Sequence, residues 1–298
     1  MKKILLSVFA IMLMFMFASV SFAIDARDGI PAPPGTFVLV NYYQYLSGHK
    51  QYKDGKKISD NYDVNSTLWT IRPTYYGKVG QFPWVLTAFF TWGDKEADLS
   101  SATTGAPQAH LKAQGMTDVR ILAAFWPYSN YQTKFHVVTG LYVTAPTGDY
   151  QNNRVLGFNM GGNWWSFQPE LGFIKGFGPF YVQVVGGAFF YTDNNDYTAA
   201  GKTYKKEPNY YGELHLSYDV NPKFWIAASA YYMYGGRTKV EGNAFDNPDL
   251  QQDWTLGLAA QYRLLPELAV MFATKPKLHT ENGTDAAANV YIKISYFF

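Results

Sequence analysis

His215 and Ser217 stand two residues apart, and Glu213 lies two before the histidine. A strand's side chains alternate, so all three fall on one face, where imidazole, hydroxyl and carboxylate can meet. That is the residue set of a hydrolytic base, nucleophile and orienting acid. Leu214, Leu216 and Tyr218 occupy the opposite face, so inward packing of polar groups is the better account of the trio. The five histidines and scattered acids show no metal spacing such as His-x-x-x-His, and with no cysteine a thiolate site is impossible. The glycine pairs Gly161-Gly162, Gly186-Gly187 and Gly235-Gly236 lack the strand-to-helix setting of phosphate loops. No catalytic residue, metal or cofactor is expected. A second set of charged residues, Arg72, Asp118, Arg120, Glu170, Glu213 and Lys293, has a meaning that depends on the elements carrying them.

Composition narrows those elements. Of 298 residues, 48% are apolar, 18% aromatic and only 16% charged, while mean hydropathy is −0.18. A soluble domain carries roughly a quarter of its residues as charges, and a bundle of spanning helices would be far more apolar. Lys2 and Lys3, the apolar run from Ile4 to Met16 and the small residues of Ser21-Phe22-Ala23 read as a cleaved signal peptide over 1–23. Without that leader the 25 basic and 23 acidic residues become 23 and 23, which argues against a nucleic-acid partner. No later run reaches the roughly 18 consecutive apolar residues of a spanning helix.

Period-2 alternation predicts twelve strands, over about 36–48, 67–78, 83–93, 115–127, 133–145, 161–174, 179–191, 208–218, 223–234, 252–263, 267–274 and 289–298. Most are long enough to cross a bilayer, which takes roughly 9–11 tilted residues. The connections run 18, 4, 21, 5, 15, 4, 16, 4, 17, 3 and 14 residues, long and short alternating without exception. Outer-membrane barrels have short periplasmic turns and long outer loops. Of 46 charged residues after the leader, 29 fall in the six long connections, clear of lipid. Aromatics such as Phe82, Trp84, Trp126 and Trp225 gather at the short-turn ends, and Trp69, Trp92, Trp164 and Trp254 toward the others, as two interfacial girdles would. The expected fold is all-β: a single twelve-stranded antiparallel transmembrane β-barrel over 36–298. Residues 24–35 form a periplasmic lead-in, and both termini lie in the periplasm of a Gram-negative cell. The last strand alternates Val290, Ile292, Ile294, Tyr296 and Phe298 with Tyr291, Lys293 and Ser295. Tyr296 and Phe298 resemble the C-terminal signature that the barrel assembly machinery reads.

In such a barrel, polar residues on apolar strands point inward. Alternation assigns Arg72, Asp118, Arg120, Gln168, Glu170, Glu213, His215 and Lys293 to the lumen, with His136 and Tyr142 joining them. Arg72, Arg120, Glu170, Glu213 and Lys293 lie at similar heights above the short turns, so three cations and two anions could form one belt, with Asp118 just above. The belt reads equally as a solute-filtering constriction or as paired charges packed in a filled lumen. Twelve strands do not choose, because eight are filled by side chains and sixteen leave an aqueous channel.

Short motifs add a resemblance. They are Ala26-Arg27-Asp28-Gly29-Ile30-Pro31-Ala32-Pro33-Pro34-Gly35-Thr36, Gly115-Met116-Thr117-Asp118, Pro146-Thr147-Gly148-Asp149-Tyr150, and Asn163-Trp164-Trp165-Ser166-Phe167-Gln168-Pro169-Glu170. Together they resemble the family of outer-membrane proteins named for the MetA-pathway of phenol degradation. The resemblance implies a barrel that admits small hydrophobic or aromatic molecules. Its expected partners are outer-membrane lipid and lipopolysaccharide, the assembly machinery and that solute. A structural or adhesive barrel with a filled lumen and surface loops is the alternative, and an outer-membrane hydrolase a third reading.

Overall fold

The computed structural model describes residues 25–60, 62–100, 107–241 and 250–298; the signal-peptide assignment lies outside them. Twelve wall strands follow in order: β1 (Phe37–Gly48), β2 (Tyr62–Val79), β3 (Phe82–Ser100), β4 (Val119–Asn130), β5 (Phe135–Ala145), β6 (Ser166–Phe177), β7 (Phe180–Tyr191), β8 (Asn209–Asn221), β9 (Phe224–Gly235), β10 (Gln251–Leu265), β11 (Leu268–Thr274) and β12 (Ala288–Phe297). Each pairs antiparallel with its sequence neighbour, and β12 closes on β1 with Val38 opposite Phe297 and Ser47 opposite Ala288. Closure leaves no unpaired edge, the condition for β-structure to span a bilayer. The alternation is physical as well as numerical. Leu214, Leu216, Phe173 and Ile292 are exposed on the outside, while Glu213, His215, Ile174 and Lys293 are buried inside.

Two strands run past their expected ends. β2 and β3 stay paired up to Tyr62 opposite Leu99, and a segment Pro107–Met116 pairs with the upper half of β3 before β4 takes over lower down. The resulting three-stranded flap rises above the membrane-spanning wall. Its outer face is polar, with Lys112 against Glu96 at 2.5 Å and His110 against Asp98 at 2.7 Å. Its inner face carries Tyr62, Val64, Ala97, Leu111 and Ala113, which pack on Phe158 of the connection between β5 and β6. Sequence reading stops these strands at the bilayer edge because outer-face charge reads as loop. A sheet that is wet on one side keeps its alternation there just as well.

Candidate functional site

The connection from β5 to β6 turns back over the barrel mouth because one carboxylate ties it down. Asp118 accepts hydrogen bonds from the backbone N–H groups of Gly148 (2.9 Å) and Gly162 (2.7 Å). A Cβ on Gly148 would lie 2.8 Å from Gly161 Cα, and one on Gly161 would lie 2.9 Å from Asp118 Oδ1. Three separate motifs thus meet in one knot. Asp118 lines the cavity below it, but its charge is spent on holding the loop rather than serving as part of the belt.

At the opposite, short-turn end residues 25–31 fill the lumen. Asp25 contacts Lys275 (3.2 Å) and Lys293 (3.2 Å) and accepts a short hydrogen bond from Tyr291. Asp28 bridges Lys293 (2.8 Å) and Arg72 (3.2 Å). Arg27 donates to Ser217 (2.8 Å) and pairs with Asp219 (2.5 Å), its guanidinium lying over Tyr181 and Trp225. Trp126 donates to Gly29 O at 2.8 Å, and Tyr131 to Pro31 O at 2.9 Å. These partners come from strands all around the wall, so residues 25–31 cross the lumen rather than hang below it. The lead-in read from the sequence as lying outside the barrel is therefore a plug. Its acids answer cations that the wall would otherwise bury uncompensated. Burial opposes the ionisation of Asp25, yet Lys275 and Lys293 hold its carboxyl well below the usual carboxylate range.

The expected belt is consequently redistributed. Arg72 and Lys293 take their anions from the plug instead of from Glu170 and Glu213. Arg72 also donates to Tyr42 (3.0 Å) and Thr87 (3.2 Å). Arg120 donates to Gln168 and lies 3.9 Å from the Tyr142 ring centre. Gln168 in turn donates to Tyr211 (2.7 Å), whose hydroxyl donates to Glu170 (2.9 Å). Cation and acid are thus also connected through a side-chain relay. His136 sits lower, against Ser129 (2.9 Å) and the Tyr131 ring that anchors the plug.

The trio that suggested hydrolysis is also rearranged. His215 contacts Glu213 (3.1 Å), but its other nitrogen meets Ser229 (2.8 Å), not Ser217. Ser229 is directly opposite His215 across β8 and β9. Cross-strand Cβ atoms lie about 5 Å apart, closer than residues two along one strand. Glu213, His215 and Ser229 are buried, and none lines the cavity, so this acid–base–hydroxyl relay stands apart from it. Among the girdle aromatics, Trp126 and Trp225 are buried in the lumen and Trp164 lines the cavity. Trp126 donates to Gly29 O and Trp225 lies under the Arg27 guanidinium, plug groups that the sequence does not place nearby. Tyr296 and Phe298 stay on the outer surface, with rings 4.7 Å apart, and Phe298 N–H donates to Phe37 O at 2.8 Å.

Between knot and plug lies a cavity of about 450 Å³. Asp25, Asp28, Arg72 and Lys275 form its floor, and Leu68, Phe89, Phe189 and Tyr191 contribute to its wall. Phe158, Met160, Tyr197 and Tyr204 from the long connections line its upper part. This volume falls in the range of small-molecule sites, roughly 300–1,000 Å³, as does the mix of apolar surface and a few fixed polar groups.

The chain is therefore a twelve-stranded barrel of the outer-membrane type, with an inward-folded N-terminal segment and a lumenal cavity. It belongs to the family described as "Putative MetA-pathway of phenol degradation", whose model matches residues 47–292. Among solved structures it is similar to an outer membrane channel from Pseudomonas putida F1, at 20% identity and a TM-score of 0.85 over 93% of this chain and 100% of that one. It also resembles the transport unit of the autotransporter AIDA-I from Escherichia coli, at 10% identity and a TM-score of 0.52, covering 97% of each chain. These likenesses establish the barrel architecture. No curated protein matches the chain.

Proposed function

We propose that the protein is an outer-membrane channel for passive uptake of small hydrophobic or aromatic molecules, with its short turns and both termini toward the periplasm. The observation that carries this reading is the cavity between knot and plug, lined by Leu68, Phe89, Phe189 and Tyr191. Family membership and the likeness to the Pseudomonas putida outer membrane channel support it. A solute entering from the long-loop side rests on the plug, and passage onward requires residues 25–31 to shift or to leave a gap. The chain's own side chains bind and orient; no bond is made or broken.

A filled structural barrel is the second reading, favoured by the plug's occupation of the short-turn end. Planar-bilayer conductance separates the two when the intact barrel is compared with a variant lacking residues 25–34. Channel function predicts small or intermittent currents that become large and steady without the segment. Silence in both proteins sinks the channel. Solute class is read from growth of a deletion strain on aromatic compounds as sole carbon source; unchanged growth and uptake across the panel would refute the uptake role.

A further inference from the structure

One side of the cavity is built of aromatic rings. Five of them run in a continuous line from the long connections down the inner face of β7, each in contact with the next. Tyr197 stacks on Tyr204, with ring centres 4.8 Å and planes 27° apart, and Tyr204 stacks on Trp164 at 5.4 Å and 20°. Trp164 meets Tyr191 edge-on at 6.4 Å, and Tyr191 stacks on Phe189 at 6.3 Å and 7°. All five line the cavity. Parity and register produce the line. Phe189 and Tyr191 share the inner face of β7, and Tyr191 stands opposite Ser166, just after Trp164 in the chain. The next inward position of β7 is Gly187, whose added Cβ would lie 2.5 Å from the Tyr211 hydroxyl. Tyr211 of β8 covers that glycine and extends the line, 5.5 Å from Phe189. The rings are also pinned. Tyr191 donates to Asn209 (3.0 Å) and Lys206 Nζ caps its ring at 4.5 Å. The wall across the cavity, from β1 and β2, presents Gln44, Leu46, Ser66, Leu68 and Thr70 instead.

We propose that this line is a stacking rail, which holds aromatic ring systems between the long-loop mouth and the cavity floor and discriminates against saturated molecules of the same size. Aromatic pairs in offset or edge-on contact gain more than their buried area accounts for. A planar solute moving along the line exchanges one ring for the next without leaving ring contact. A saturated ring gains from area burial alone, and gains it as well from the aliphatic wall. This inference rests on the uptake reading above and decides between its two solute classes.

The test is equilibrium binding of naphthalene and its saturated counterpart cis-decalin to the whole barrel in nanodiscs, read by headspace gas chromatography. Each probe's barrel-bound amount is divided by its partition into empty discs, so that their different hydrophobicities cancel. On that scale naphthalene should be favoured about fivefold. Phe189→Leu and the double variant Trp164→Leu/Tyr204→Leu should each remove much of the preference, whereas Phe189→Tyr and, on the facing wall, Leu68→Met should keep it. Heat-modifiable mobility on gels verifies that each variant is folded. Equal relative binding of the two probes overturns the inference and leaves the uptake reading standing. So does a preference that survives both leucine variants, or one lost equally in Leu68→Met. Failure of both probes to bind beyond empty discs overturns both readings.

Discussion

At the scale of single residues, the lumen shows why a buried charge has to be judged by its partner. Asp25 answers two lysines, whereas Glu170 accepts a hydrogen bond from Tyr211. Asp25→Asn leaves Lys275 facing a neutral amide while Lys293 keeps Asp28, and an uncompensated buried charge commonly costs about 3–5 kcal/mol. Thermal unfolding of that variant should begin several degrees lower, and trypsin should cleave after Arg27 faster than in the parent protein. Glu170→Gln keeps an acceptor for Tyr211, so its cost should be nearer ~1–2 kcal/mol. Equal destabilisation by the two changes would contradict the pairing described. The pH dependence follows from the same contact. The folded carboxyl of Asp25 is held below its unfolded value of about 3.9, so its contribution is fully present above that pH and is lost as pH falls below it. The plug should stay protected from trypsin at pH 5 and loosen only in stronger acid, measured by brief acid exposure before digestion. Loosening between pH 5 and 7 would point to another group.

At the scale of elements, short motifs turn out to be joints. Gly161 is packed so closely that its added Cβ would lie 2.9 Å from both Asp118 Oδ1 and the Gly148 backbone. Gly161→Val should therefore unseat the connection between β5 and β6, detach Phe158 from the flap's inner face and raise proteolysis at Arg154. The barrel's own heat-modifiable mobility should be retained. A variant as resistant as the parent would show that the knot does not hold the loop. The closing strand gives a second test. Phe298 follows directly on β12, with its ring 5.4 Å from Phe37 of β1, where first and last strands must find each other. Deleting it should lower the yield of inserted barrel in cells by a large factor, measured as the folded band in outer-membrane fractions. Normal insertion would count against Tyr296 and Phe298 as an assembly signature.

At the scale of the whole molecule, one closed sheet carries two opposite surfaces. Outside, Leu214, Leu256, Phe173 and Ile292 are exposed in a manner only lipid makes tolerable. Inside, polar side chains satisfy one another around a cavity. The protein should fractionate with outer membranes, and its gel mobility should shift on heating as the hydrogen-bonded barrel opens. Recovery from the soluble periplasm without detergent would refute the membrane reading. The plug and the flap close the two ends by different physics, charge pairing below and apolar packing above. High salt should leave the flap in place, and so should the Asp25→Asn change. Loss of the Phe158 contact in that variant, followed by crosslinking between flap and loop, would show the ends to be coupled.

The strands, their number and their faces were legible in the chain alone, because a period of 2 is a local property that survives without tertiary context. Turn residues such as Asn221-Pro222 and the alternation of connection lengths told one end from the other for the same reason. Inward placement of Arg72, Arg120, Glu170, Glu213, His215 and Lys293 followed from parity. Their partners did not. Asp25 and Asp28 lie more than 40 residues from every wall cation they meet, on a segment with no alternation to read. An imbalance of three belt cations against two acids was the only hint that anions had to come from elsewhere. His215 exchanged Ser217 for Ser229 because register, not sequence spacing, sets which side chains touch across a sheet. Asp118 looked like a lumenal charge until folding brought Gly148 and Gly162 to it. Parity decides which way a side chain points, whereas pairing depends on which distant segments close over it, and only the folded barrel decides that.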